Sequence, residues 1–239
     1  MTGFSTVSAV IDEITALGPF FAVQTHPSGT EPPEPWQPMS PALLEARVAG
    51  VGEWLAAAGG QPPGAVELRV AASVAHLGLA ARLISPALAA AVLHGLVLAP
   101  ALTDLRWQPV IGGPVPLSLP DNVLTAPSAD LADELRNRLL DGPLRELADV
   151  MGEFSVSQHI LWGNTASAVN GAATMITTAR PDLTARTRAF ASLLLERPPL
   201  CDAGTVTPNG AFRRRSCCLI YRAAPDGKGP LCGDCVLSR

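Results

Sequence analysis

Apolar residues at Val7, Val10, Ile11, Ile14 and Leu17 recur at helical spacing. They predict an amphipathic helix that Gly18 stops. A proline-rich stretch follows, with Pro27, Pro32, Pro33, Pro35 and Pro38, and reads as loop. Ser40 then stands as an N-cap with Pro41 at the first helical position. Leu44, Val48, Val51 and Leu55 give that helix an inward face, and Gly59-Gly60 ends it. A third helix is expected from about Val66 to Ile84. Ser85-Pro86 repeats the cap-plus-proline start and predicts a fourth, ending near Gly95. Residues 96–120 break into short apolar pieces, Leu96-Val97-Leu98, Leu105-Arg106-Trp107 and Val115-Pro116-Leu117. These predict short strands or irregular chain rather than a large sheet. Helices resume near Ser128, where Leu131, Leu135 and Leu139 share a face, and continue over about 144–152, 156–178 and 182–196. The pattern is mainly α: a helical domain over residues 1–200, minor short β segments, and a cysteine-rich segment over 201–239.

Composition narrows what such a chain can do. Of the 239 residues 48% are hydrophobic and 16% charged, which excludes an intrinsically disordered chain. Aromatic residues are only 5%, too few for a base-stacking RNA binder. The net charge of −4 offers no general attraction to nucleic acid. Leu83 to Thr103 is free of charged side chains, but Pro86 and Pro100 interrupt it. The uninterrupted run is short of the ~20 residues a membrane span needs, so a buried helix is expected there. The first Lys or Arg is Arg47, which does not fit a secretory signal, and a cytoplasmic protein without a membrane span is expected.

Charge and cysteine are both concentrated at one end. Residues 211–239 hold six basic residues, Arg213, Arg214, Arg215, Arg222, Lys228 and Arg239, against two acidic ones, and four of the five cysteines. Cys217-Cys218 and Cys232-Gly233-Asp234-Cys235 make a C-C-x13-C-x-x-C pattern. Pro225-Asp226-Gly227 is a turn signal midway between them, and would fold the chain back to bring the two pairs together. Four clustered thiols in a reducing compartment suggest a metal before disulfides. Adjacent cysteines point to opposite faces of a regular strand, so a common centre needs a bend. A 2Fe–2S cluster, a structural zinc and unligated redox thiols all remain open on spacing alone. Cys201 is left over. His26, His76, His94 and His159 lack ligand spacing and read as structural, Tyr221 and Trp162 as packing residues. No glycine-rich phosphate loop argues for a nucleotide or flavin site.

The run Arg214-Arg215-Ser216-Cys217-Cys218-Leu219-Ile220-Tyr221-Arg222, followed by Leu231-Cys232-Gly233-Asp234-Cys235, resembles the C-terminal signature of FhuF-type ferric siderophore reductases. Leu161-Trp162-Gly163-Asn164 resembles a second family segment. The spacer between the cysteine pairs is longer here than in the family. The extra residues fall at the Pro-Asp-Gly-Lys-Gly tip, where insertions are tolerated. The resemblance implies a 2Fe–2S cluster held by Cys217, Cys218, Cys232 and Cys235, and one-electron reduction of a ferric siderophore, of hydroxamate type. With no second cofactor site, electrons come from a separate donor such as a ferredoxin or flavodoxin. Arg213, Arg214, Arg215 and Arg222 are candidates to tune the cluster or to dock that donor. The contrasting readings are a zinc-stabilised interaction module and an iron–sulfur electron carrier or redox sensor.

Overall fold

A computed structural model describes residues 7–207 and 211–238. Two long helices form its centre, α3 (Leu68–Ala89) and α6 (Gln158–Ala179). Ala71, Ala72, Ala75 and Ala80 on the first, and Ala166, Ala172 and Ala173 on the second, are almost fully buried. Small side chains let the two backbones approach closely along their shared face. Around this pair sit α1 (Val7–Thr15), α2 (Pro41–Ala58), α4 (Leu131–Leu135), α5 (Pro143–Gly152) and α7 (Thr184–Leu195). The start of α2 follows the sequence pattern, with Pro41 in its first turn and Gly59 at its C-cap.

The expected break at Ser85-Pro86 is absent. Helix α3 runs through Pro86, widens into a π-turn at Ala90–His94, and stops at Gly95 in the left-handed region (φ 67). Pro86 removes one helical hydrogen bond and crowds the preceding turn. Leu83, Ile84, Leu88 and Val92 are each buried around it, so packing on both sides of the proline overrides its local preference. Leu68–His94 is long and apolar enough to cross a membrane by length and composition, and most of it is buried against the rest of the protein.

The proline loop also departs from expectation. It supplies β1 (Gln24–His26) and β2 (Gln37–Pro38) to a four-stranded sheet of order β1-β5-β4-β2, completed by β4 (Arg106–Trp107) and β5 (Leu117–Pro120). β1 runs parallel to β5, Gln24 opposite Ser118, and the other pairings are antiparallel. β2 lies at the sheet edge, where a proline's missing N–H costs no ladder bond. β3 (Val97–Leu98) pairs with β6 (Leu124–Thr125). All these strands are short, as the broken apolar pattern implies.

Arg82 ties sheet and helices together. Its guanidinium is 2% exposed. Nε donates to the Val115 carbonyl at 2.7 Å, Nη1 to Pro19 at 3.1 Å and to Phe20, and Nη2 to Ala22 at 2.5 Å. One α3 side chain thus satisfies carbonyls from the chain after α1 and from the approach to β5. Replacing it strands several buried acceptors, each worth about 1–3 kcal/mol. Arg82→Met should lower unfolding stability by about 3 kcal/mol or more in urea titrations, while Arg69→Met on the exposed start of α3 should change it by under about 0.5 kcal/mol.

Candidate metal centre

The cysteine segment is carried on a hairpin of β7 (Gly204–Val206) and β8 (Phe212–Arg214), with Gly204 opposite Arg214. A Cβ on Gly204 would stand 2.7 Å from the Arg213 carbonyl oxygen and inside the Phe212 ring, so only glycine fits. From β8 onward burial alternates strictly. Phe212, Arg214 and Ser216 are buried; Arg213 and Arg215 are exposed. The strand is anchored on both sides: Arg215 N–H donates to the Ala203 carbonyl at 2.9 Å, and Arg214 N–H to the Asp234 carbonyl at 3.0 Å. The second bond joins the Cys232–Cys235 turn to the strand leading to Cys217.

Alternation carries the Arg214 side chain inward, where it is 1% exposed. Nη2 donates to Asn164 Oδ1 at 2.7 Å and to the Ile160 carbonyl at 3.3 Å. Asn164 Nδ2 in turn donates to the Ser73 carbonyl at 2.9 Å, and Ser73 Oγ donates to the Cys218 carbonyl at 2.8 Å. This chain of bonds starts on the cysteine segment, crosses α6 and α3, and returns beside Cys218. Ser216 Oγ adds a bond to the His159 carbonyl at 3.1 Å. Gly163 makes the approach possible: a Cβ there would lie 2.9 Å from Arg214 Nη2 and overlap Ser216.

The network leaves donors over. Arg214 Nε and Nη1 are buried without a hydrogen-bond partner, and no ion pair with Arg214 occurs among the described residues. His76, one helical turn beyond Ser73 on α3, is fully buried with neither ring nitrogen partnered. Burial first, and the Arg214 charge second, hold that imidazole neutral, its pKa pushed down to about 3. A buried guanidinium normally has a counter-charge; Cys217 follows Arg214 by three residues.

The four thiols of the motif come together. The turn at the spacer tip forms as its residues require: Gly227 is left-handed (φ 64), and Lys228 N–H donates to Asp226 Oδ1 at 2.9 Å. Gly229 N–H closes the loop on the Tyr221 carbonyl at 2.8 Å. Immediately after the adjacent cysteines the chain bends at Leu219, a non-glycine residue at φ 68, a conformation that costs about 1–2 kcal/mol for such a residue. Leu219 N–H donates to Cys217 Sγ at 3.3 Å, and Leu237 N–H to Cys235 Sγ at the same distance. Cys217 lies beside Cys235, and Cys232 beside Cys218. Each couple joins a buried thiol, Cys235 or Cys218, to a half-buried one. No three His, Cys, Asp or Glu side chains among the described residues converge on a point for one ion. Two couples of thiols suit a centre with two irons and two ligands on each. Burial, and then the neighbouring thiols, push the Cys217 and Cys232 thiols upward. Metal binding reverses that preference by exchanging protons for cation charge.

The remaining candidates separate by environment. Arg213 donates to the carbonyls of Val236 and Ser238 and clamps the chain end. Arg215 pairs with Asp202 at 3.3 Å and Arg222 with Glu67 at 2.6 Å. Cys201 is exposed. Trp162 is buried, with the Arg145 guanidinium 5.3 Å from its ring centroid. Sequence reasoning missed Ser73 and gave Gly163 and Asn164 no task. A polar Ser73 three residues from His76, within the run Val70, Ala71, Ala72, Val74 and Ala75, is the available signal.

Asn164→Ala breaks both arms of the network and leaves Arg214 with one weak bond. It should cost about 2–4 kcal/mol in stability. Gly163→Ala should expose the 212–238 segment to limited proteolysis while helix content by circular dichroism is kept. Wild-type resistance in both variants would contradict the proposed anchoring.

A family model described as the FhuF 2Fe-2S C-terminal domain matches residues 214–237. It decides between iron–sulfur cluster and zinc in favour of the cluster. A second, the ferric iron reductase FhuF-like transporter family, matches residues 78–217, more than half of the chain. A search of curated proteins returns no match. Helix α6, the later part of α3 and the cysteine segment thus fall under adjoining models, and the chain belongs to the FhuF-like family of ferric iron reductases.

Proposed function

We propose that this protein reduces ferric siderophores of hydroxamate type in the cytoplasm, taking single electrons from a separate ferredoxin or flavodoxin, and that Cys217, Cys218, Cys232 and Cys235 hold its 2Fe–2S cluster. The observation that carries the reading is the gathering of Cys217 with Cys235 and of Cys232 with Cys218 on a segment anchored through Arg214, a buried cation with two unfilled donors. A cluster on these thiolates would bring negative charge to the same segment as that cation.

When bound, a 2Fe–2S cluster supplies one electron at a time. The chain's residues set the conditions. Arg214 holds a fixed positive charge in a dry setting, which favours the more negative state of the sulfur site. The Leu219 and Leu237 N–H groups act in the same direction on Cys217 and Cys235. Ser73 and Asn164 keep the guanidinium in place, so little reorganisation accompanies charge arriving nearby. On the substrate, Fe(III) is a hard ion held tightly by hydroxamate oxygens. One electron converts it to Fe(II), which those oxygens hold weakly, and iron is released. Arg213 and Arg215, exposed on the basic segment, suit the approach of an acidic carrier, an attraction screened over ~8–10 Å at physiological salt.

Serine at Cys217, Cys218, Cys232 or Cys235 should abolish or shift the visible absorption of the purified protein and lower its iron and sulfide content. Serine at Cys201 should leave both unchanged. Bleaching by Cys201→Ser with a normal Cys217→Ser spectrum would reverse the ligand assignment.

Arg214→Gln should lower the reduction potential by on the order of 50 mV, where 59 mV is a tenfold change for one electron. Arg215→Gln should shift it much less, because that side chain is exposed and paired with Asp202. Equal shifts in redox titrations would remove the special place of Arg214.

Dithionite-reduced protein, freed of excess dithionite and mixed with a ferric trihydroxamate and an Fe(II) trap, should reoxidise and yield one trapped Fe(II) per cluster. A reduced protein that persists beside the chelate yet passes electrons to another protein is an electron carrier instead.

A further inference from the structure

The four-stranded sheet has two unlike faces. Trp107 on β4 and Leu117 and Leu119 on β5 are buried in the core. Alternation puts Arg106 and Ser118 on the other face, directly opposite each other, with Gln24 opposite Ser118 and His26 two residues on. A cavity of about 420 Å³ is lined by this polar face and by the loop of residues 28–32. Its volume is within the ~300–1,000 Å³ of small-molecule sites. The parallel strands β1 and β5 both end at it, with Ser28 and Asn122 just beyond. The carboxyl ends of parallel strands are where open sheets most often take ligands. The loop is held in place without one. Ser28 N–H donates to Asp121 Oδ1 at 3.2 Å, Ser28 Oγ to Asn122 Oδ1 at 2.8 Å, and Thr30 Oγ1 to the Pro27 carbonyl at 2.8 Å.

Arg106 lines the cavity although it is only 7% exposed. Its Nη2 donates to the Thr30 carbonyl and to Thr30 Oγ1 at 2.8 Å. Nε and Nη1 have no hydrogen-bond partner, and no carboxylate pairs with Arg106, among the described residues. The two spare nitrogens of Arg214 are sealed from solvent; those of Arg106 are not. A cation held nine-tenths out of water, with open donors at a cavity, calls for an anion there. The other ionisable lining groups set the size of that charge: they are His26, Glu31 and Asp104. His26 Nδ1 shares a hydrogen bond with Ser118 Oγ at 2.8 Å. Burial first, and the Arg106 charge second, push its pKa down, so at neutral pH the imidazole is uncharged. One cation beside two carboxylates suits a single negative charge and disfavours a phosphate dianion or a dicarboxylate. The same two carboxylates accept hydrogen bonds, and so favour a ligand that carries donors as well.

We propose that this cavity binds a small organic monocarboxylate: its carboxylate meets Arg106, and hydroxyl or ammonium donors on its body meet Asp104 and Glu31. No residue of 201–239 lines the cavity, so the site is separate from the cysteine segment and stands independently of the reductase reading.

Gluconate and L-glutamine, a hydroxy acid and an amino acid, are the probes. Each is titrated at millimolar concentration into the cluster-loaded, ¹⁵N-labelled protein. At least one should shift the amide signals of Gly29, Thr30 and Asn122 and leave those of α7 in place, and the tighter of the two tells whether hydroxyl or ammonium is the donor. Glucitol, the gluconate skeleton without its carboxylate, should leave all of them unchanged. Arg106→Gln should weaken the tighter probe about tenfold or more, as expected for hydrogen bonds to a charged group. Thr103→Trp, at an exposed position of the cavity wall, should weaken it similarly by filling the space, and decides the question should Arg106→Gln not fold. Failure of both carboxylates to bind, shifts confined to other parts of the protein, or undiminished binding by the folded variants overturns the site. Equal shifts with glucitol, or tighter binding of inorganic phosphate, overturns the monocarboxylate class.

Discussion

Burying the Arg214 guanidinium is the constraint on which the rest of the structure turns. A cation taken out of water carries a penalty of several kcal/mol unless partners surround it. Here Asn164 and a backbone carbonyl meet one nitrogen, and two donors are left toward the interior. The neutral partners it does have are therefore the more necessary. That requirement links the helical body and the cysteine segment: α6 supplies Asn164 and the clearance at Gly163, α3 supplies Ser73, and β8 carries the arginine. The segment is thereby held by directional polar bonds, the shortest from each donor at 2.7–2.9 Å.

The same constraint divides the labour among four arginines that look alike in sequence. Strand alternation sends Arg214 inside, while Arg213 and Arg215 stay on the surface. An exposed arginine acts at a distance through water and loses its influence with salt. A buried one acts through a low effective dielectric and cannot move away. On the function proposed, tuning would fall to Arg214 and partner attraction to the exposed pair, even though Arg213 also spends donors on the Val236 and Ser238 carbonyls.

Much of this was legible before any coordinates. Helical spacing located α1, α2, α5, α6 and α7, and the cysteine pattern with its Pro-Asp-Gly turn brought the four thiols together. What escaped has identifiable causes. Pro86 was read as a boundary because local preference was weighed without the packing on either side of it. β1 and β2 hid in the proline loop because strands of two or three residues carry no periodicity and take their pairing from β5 and β4. Arg214 could have been separated from its neighbours by a period-2 reading, with Phe212 and Ser216 on its face. The Asn164 and Ser73 bonds join positions 91 residues apart, and no local pattern reports on a partner at that distance.

The ferric chelate reductase proposed here would meet two opposed demands. Its sulfur ligands would need shielding from water, and Cys218 and Cys235 are each 1% exposed. Its substrate would be too large to enter a core packed to native density. The cysteine segment lies against α3 and α6 and is held there through Ser73, Asn164 and Arg214, and each of its thiol couples keeps one sulfur buried and one half-buried. The two helices contribute to this seat: alanines pack their shared core closely, and Gly163 leaves room for the Arg214 guanidinium against α6.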